Sequence, residues 1–311
     1  MGRFTLLSLP AVTYDAGMVI IPYDEFSYFH ENLSEWGLEV PVPPVHRRFF
    51  DVDNGRRVSA LVWGSTPPEL AMVHGGAQNA HTFDTVALAL QHPLVAFDLP
   101  GHGHSDAGPF GNTAVAQHAK DLAGAMAQEF REPVPLVGMS LGGLTSLVIA
   151  RNHPELVRSL FLVDITPGVN ADKAKHITNF VNGPTSFEDF DALLARTIEH
   201  NPTRSVSSLR RGILHNAQQQ ADGTWIWRHQ RHPRSELSAP DAGNLWDALG
   251  ELTMPVTLVR GMAAGSVVDD ADEQELLRRC PTARVIHVEG AGHSVQGDAP
   301  LQLAQIIATM I

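Results

Sequence analysis

Short apolar runs recur along this chain and alternate with stretches whose apolar residues fall three or four apart. The runs at 70–73, 94–97, 134–137, 160–163, 256–259 and 285–288 lack the alternation of a half-exposed strand, so they predict parallel strands buried on both faces. Two further runs, 47–52 and 58–63, flank Asp53-Asn54-Gly55, a turn sequence that predicts an antiparallel hairpin. Helical spacing stands between them. Val115, Ala119, Leu122, Met126 and Phe130 form one stripe, predicting a helix over 113–130. Pro300, followed by Leu301, Leu303, Ile306 and Ile307, reads as a closing helix with proline in its first turn. Strands alternating with helices predict an α/β fold with eight strands and helices on both faces of a mostly parallel sheet.

The rhythm stops between Pro167 and Leu252. That interval holds helix-like pieces at 187–200 and 201–215 and reads as an inserted cap. Its aromatics, Phe180, Phe187, Phe190, Trp225 and Trp227, either line a pocket or pack, and packing is the commoner role. The organisation expected is an N-terminal extension over 1–45, a core over 46–167 and 252–311, and a helical cap over 168–251. Pro41, Pro43 and Pro44 make the end of the extension extended; no role is legible in the rest of it.

Composition narrows the function. A chain of 311 residues, 43% hydrophobic, can bury a large core. Its net charge of −12 argues against nucleic acid and anionic membrane surfaces as partners and leaves a small molecule as the expected ligand. Cys280 is the only cysteine, so no intramolecular disulfide forms. Leu6, Leu7 and Leu9 are too few for a signal-peptide core, and no apolar run reaches membrane-spanning length, so a cytoplasmic protein is expected.

The chemistry centres on Gly138-Met139-Ser140-Leu141-Gly142. An apolar strand precedes this segment, and Leu144, Leu147, Val148 and Ile149 follow it at helical spacing. A sharp strand-to-helix turn exposes its serine and demands small neighbours, which Gly138, Gly142 and Gly143 supply. A serine hydroxyl is a weak nucleophile and needs a base. Of 16 histidines, His293 lies in a glycine-flanked loop directly after the last predicted strand, at the sheet edge where such folds bind ligands; His287, inside that strand, reads as structural.

Four motifs in this order resemble the α/β-hydrolase superfamily: His74-Gly75-Gly76, Asp98-Leu99-Pro100-Gly101-His102-Gly103-His104-Ser105, the Ser140 elbow, and Gly290-Ala291-Gly292-His293. The resemblance runs from about Arg47 to the end of the chain. It implies an eight-stranded sheet with a helical cap inserted after strand 6. In many such relatives the triad acid follows the seventh strand, where this chain has Ala263 or Ala264. Asp269 and Asp270 come slightly later but precede a helical run at 273–279, where an aspartate serves as a cap. Asp164, ending the sixth strand, resembles the acid position of haloalkane dehalogenases and some lactone-cleaving relatives. It is the favoured acid, with Asp270 and Asp269 as alternatives and a plain turn role as the competing reading.

Backbone N–H groups of Leu141 and Gly76 are the expected oxyanion donors, with His74 and His102 bracing their loops. No further ligand spacing accompanies His102 and His104, and Gly101-His102-Gly103 has no third glycine at dinucleotide spacing. Neither a metal nor a cofactor is expected. The activity expected is hydrolysis of a carboxylic ester or lactone through an acyl-serine. The alternatives are hydrolytic carbon–carbon cleavage of a vinylogous diketone, a cofactor-independent oxygenase, or a small-molecule receptor.

Overall fold

The computed structural model describes residues 12–13, 19–108, 114–170, 172–202, 204–230 and 242–311; Leu6, Leu7, Leu9 and Thr113 lie outside them. Its main sheet has eight strands: β1 (Val45–Val52), β2 (Arg56–Trp63), β3 (Ala71–Val73), β4 (Leu94–Phe97), β5 (Val134–Met139), β6 (Val157–Val163), β7 (Val256–Gly261) and β8 (Arg284–Val288). Their spatial order is β8-β7-β6-β5-β3-β4-β2-β1, all parallel except β2, which runs antiparallel to both neighbours. The hairpin joins β1 to β2 at Val52↔Arg56, and Asn54 and Gly55 supply the two positive φ angles its turn needs, 63° and 68°.

Helices α1 (Phe29–Trp36), α2 (Asp84–Leu90), α3 (Ala114–Glu129) and α4 (Leu141–Asn152) belong to the first half of the chain. The cap carries α5 (Lys175–Val181), α6 (Phe190–His200) and α7 (Val206–Asn216), and α8 (Ala242–Gly250), α9 (Asp270–Arg279), α10 (Val295–Asp298) and α11 (Pro300–Ala308) complete the described set. The central strands are mostly apolar because alternate residues feed two separate cores. Val73, Leu136, Leu160 and Leu162 join Leu122, Leu147, Leu249 and Leu276 under α3, α4, α8 and α9. Met72, Val137, Phe161 and Val163 join Phe29, Val86, Leu303 and Ile307 under α1, α2 and α11. No helix among the described residues is long and apolar enough to cross a membrane.

The insertion after β6 is not purely helical. Ser186–Phe187, Ala217–Gln219 and Trp225–Trp227 pair into a three-stranded antiparallel sheet, so the helix read over 187–200 begins at Phe190 instead. Phe187 and Trp225 are buried in the cap's own apolar cluster, while Phe180 and Trp227 line a cavity.

The N-terminal segment clasps core and cap together. Tyr28 and Phe29 are buried, Glu25 pairs with Arg47 at 2.6 Å, and Arg47 reaches Asp98 at 2.7 Å. Glu25 also meets His81 at 3.2 Å, and His81 meets Asp84 at 2.9 Å. Burial opposes a charge on His81, but Asp84 and Glu25 outweigh it and raise its pKa from 6.5 to about 9. Burial likewise opposes the charge on Glu25, but His81 and Arg47 outweigh it and hold its pKa near 2. The His81 contribution is therefore complete below about 6.5 and vanishes as pH rises through 9; that of Glu25 vanishes as pH falls below 4.5 towards 2. We expect urea midpoints of the native chain to fall between pH 6.5 and 9 relative to those of His81→Gln. Parallel pH profiles for the two proteins would remove His81 from the clasp.

Candidate active site

β5 delivers Ser140 to the carboxyl edge of the sheet, next to β3, where the strand order reverses. Ser140 has φ 51° and ψ −120°, a conformation that a non-glycine residue holds only at a cost of about 1–3 kcal/mol. Its backbone is fixed from both sides: its N–H donates to Val163 O at 3.3 Å, and its carbonyl accepts from Gly143 at 2.8 Å and Leu144 at 3.1 Å. A Cβ on Gly138 would stand 2.6 Å from both Gly142 O and Gly143 Cα, and one on Gly142 would strike the carbonyls of Val73 and His74. Those glycines let strand, turn and helix close this tightly.

Asp164 follows directly after Val163, whose carbonyl holds Ser140, so the two residues leave adjacent strands side by side. It is fully buried and has a positive φ of 45°. Its carboxylate accepts four hydrogen bonds: from Gly261 N–H at 2.9 Å, Ser266 Oγ at 2.7 Å, Val267 N–H at 3.1 Å and His293 Nδ1 at 2.9 Å. An ionised carboxylate only accepts, so Nδ1 of His293 carries a proton and Nε2 is left as the free base.

The loop after β7, where related enzymes often place their acid, instead supplies donors to Asp164 through Gly261, Ser266 and Val267. The alternative acids are engaged elsewhere. Asp269 caps α9 in a reciprocal capping box with Asp272 and pairs with Lys173 at 2.8 Å. Asp270 pairs with Arg260 at 2.8 Å and its side chain is 86% exposed. Neither is brought to His293. His287 bonds Glu273 at 2.8 Å, away from Ser140.

The His74-Gly75-Gly76 loop lies across the turn. A Cβ on Gly75 would stand 3.1 Å from Ser140 Cβ, and one on Gly76 3.8 Å from Leu141 Cδ2, which sets Gly76 and Leu141 beside each other at the serine. His74 fastens this loop to the one after β4: its Nε2 accepts from Leu99 N–H at 3.0 Å and its Nδ1 donates to Gly75 O at 2.7 Å. Burial drives its pKa down to about 3, so the ring is neutral and keeps this tautomer. His102 bonds Pro100 O at 3.1 Å within the second loop. We expect His74→Ala to lower kcat about 100-fold, since displacing a catalytic group by about 1 Å costs that much; an unchanged kcat with a lowered melting temperature would make His74 purely structural.

His102 and His104 do not join a common donor set. Among the described residues only His81, Asp84 and His215 bring ligand atoms within 4.8 Å of one another. The rings of His81 and His215 are stacked in parallel, 3.8 Å apart with 12° between planes, so they do not direct two nitrogens in-plane at one ion. His215 Nδ1 is already bonded to the Tyr23 hydroxyl at 2.9 Å.

A model of the α/β hydrolase fold matches residues 68–300. The chain belongs to the α/β-hydrolase fold family. Esterase Rv0045c of Mycobacterium tuberculosis is 41% identical over 295 residues, covering 91% of this chain and 94% of that protein. A solved structure of that esterase superposes with a TM-score of 0.81 at 39% identity, covering 92% and 98% of the two chains. The 2-(acetamidomethylene)succinate hydrolase of Mesorhizobium japonicum is 29% identical over 252 residues, 80% of this chain and 90% of that protein. A structure of E-2-(acetamidomethylene)succinate hydrolase gives a TM-score of 0.74 at 27% identity over 86% and 98% of the chains.

This α/β-hydrolase also has site residues that sequence reasoning passed over. Ser266 bonds the Asp164 carboxylate, and Gln78 accepts from Gly75 N–H at 3.2 Å, steadying the loop over the serine. Both are ordinary polar loop residues whose role depends on distant partners.

Proposed function

We propose that this chain is a serine hydrolase of carboxylic esters, with Ser140 as nucleophile, His293 as base and Asp164 as the acid behind the ring. His293 Nε2 takes the Ser140 proton as Oγ attacks the ester carbonyl. The backbone N–H groups of Leu141 and Gly76 receive the developing oxyanion. The imidazolium then protonates the leaving alkoxide, and the neutral ring activates water to release the acid and restore Ser140. Asp164 holds the tautomer and stabilises the imidazolium.

The observation that carries this reading is the anchoring of His293 Nδ1 on Asp164 beside the strained Ser140 turn. The esterase at 41% identity supports the same reaction class. Lactones, as internal esters, fall within this chemistry. The test is labelling by a fluorophosphonate followed by turnover of an ester and lactone panel. Covalent label on Ser140 and release of acid and alcohol are expected. Full turnover of a vinylogous diketone with inert esters would replace ester hydrolysis by carbon–carbon cleavage.

A further inference from the structure

A cavity of about 170 Å³ opens between the cap and the core, lined by residues that follow the Gly75 and His293 loops but not by Ser140 or His293 themselves. Gln78, just beyond Gly75, and Gln296, just beyond His293, line it from the core, with their side chains 3.5 Å apart. Arg204 and Arg211 line it from the cap side. The space suits a short polar chain, being close to that which holds a single benzene ring.

The two guanidinium groups differ in their partners. Arg211 is neutralised by Glu35 and Glu31. Arg204 makes no ion pair among the described residues: it donates to Ser208 Oγ at 2.9 Å, and its Nε is buried without an acceptor. Asp298 and Glu35 act on it only from a distance, being occupied by Gly292 N–H and by Arg211. Burial pushes its pKa down, yet a guanidinium remains charged in a protein, so donors and charge are left unmatched.

Space has been kept for this group. A Cβ on Gly297 would stand 2.7 Å from Arg204 Cζ and 2.8 Å from both Nη atoms, and the backbone there is not left-handed. A side chain at 297 would push the guanidinium from this position. The guanidinium therefore rests on the helix that begins just after His293, and Arg204 is one of the residues that line the cavity.

We propose that Arg204 is a specificity-determining residue that pairs with a carboxylate on the substrate, so that the preferred substrates are short esters carrying a second, free carboxylate. This rests on the ester hydrolysis proposed above. No new chemistry is involved: the carboxylate oxygens accept from Arg204 while the ester carbonyl sits at Ser140.

The test compares p-nitrophenyl hemi-esters of glutaric and adipic acid with the corresponding ω-carboxamides, and repeats the comparison with the charge placed on the alcohol side. The native enzyme is expected to prefer the acid form in one series by about 10- to 100-fold in kcat/KM, the usual worth of a charge-assisted hydrogen bond. Arg204→Met should abolish that preference while sparing the carboxamides, Arg204→Lys should retain part of it, and Gly297→Ala, which displaces the guanidinium, should weaken it. Equal loss on both substrate forms would make Arg204 structural, and a native enzyme indifferent to charge in both series would overturn the proposal. Calorimetry with adipate separates the two readings: binding to the native protein but not to Arg204→Met sustains the anion site even if no ester is turned over. Ester turnover through Ser140 without adipate binding leaves the hydrolase reading standing and removes this one.

Discussion

Ser140→Ala is expected to lower kcat for ester hydrolysis by roughly five to six orders of magnitude, the loss that removal of a triad nucleophile produces elsewhere. That corresponds to about 7–8 kcal/mol of transition-state stabilisation. The fold should survive unchanged, because the bonds that fix residue 140 are made by its backbone, to Val163, Gly143 and Leu144. Alanine at φ 51° is as strained as serine, so the melting temperature should barely move. Ser140→Gly separates strain from chemistry. Glycine adopts positive φ freely, so this variant should be equally inactive yet more stable by about 1 kcal/mol, the relieved strain less glycine's larger loss of backbone entropy. Steady-state kinetics with intact-protein mass spectrometry after fluorophosphonate treatment checks both. Turnover within tenfold of native in a folded Ser140→Ala protein would end the acyl-serine reading.

The sheet was legible because its inner strands are covered on both sides: Val73, Leu136 and Leu160 face one core while Met72, Val137 and Phe161 face the other, so no polar residue breaks the run. Strand ends were less legible. β5 continues through Gly138 and Met139 because these pair with Leu162 and Val163 of β6, a partnership with no local signature. The same applies in the cap, where Phe187 reads as the start of a helix but pairs with Trp225, about forty residues on. The serine and histidine could be singled out because their glycine-rich turns are local. The acid was less legible: Asp164 is favoured over Asp269 and Asp270, but which carboxylate accepts the His293 Nδ1 hydrogen bond depends on where β6 ends relative to the loop after β8. The N-terminal segment was opaque for a like reason: Glu25, Glu31 and Glu35 acquire meaning only from Arg47, Arg210 and Arg211. Arg204 and Gly297 are a further case, since the glycine reads as unremarkable until the guanidinium is seen resting on it.

Asp164→Asn should lower kcat about 10⁴-fold while the neighbouring acids prove dispensable. The carboxylate of Asp164 faces donors only: two backbone N–H groups, the Ser266 hydroxyl and His293 Nδ1. An amide cannot accept from all four, because its NH2 must face one of them donor to donor. If the NH2 faces His293, the ring takes the other tautomer, and Nε2 then carries the proton and cannot accept one from Ser140. If it faces Gly261 or Val267, a buried N–H is left unpaired, at a cost of about 1–3 kcal/mol. Both outcomes lower stability, so chemical denaturation belongs beside the kinetics. Asp270→Ala should stay within about twofold of native activity, since Asp270 is exposed and its partner Arg260 keeps Glu273. Asp269→Ala should lose about 1 kcal/mol of stability as the α9 cap is removed, with kcat unaffected. The opposite pattern, an active Asp164→Asn and an inactive Asp270→Ala, would mean that the loop after β7 rearranges in solution to bring its own carboxylate to His293.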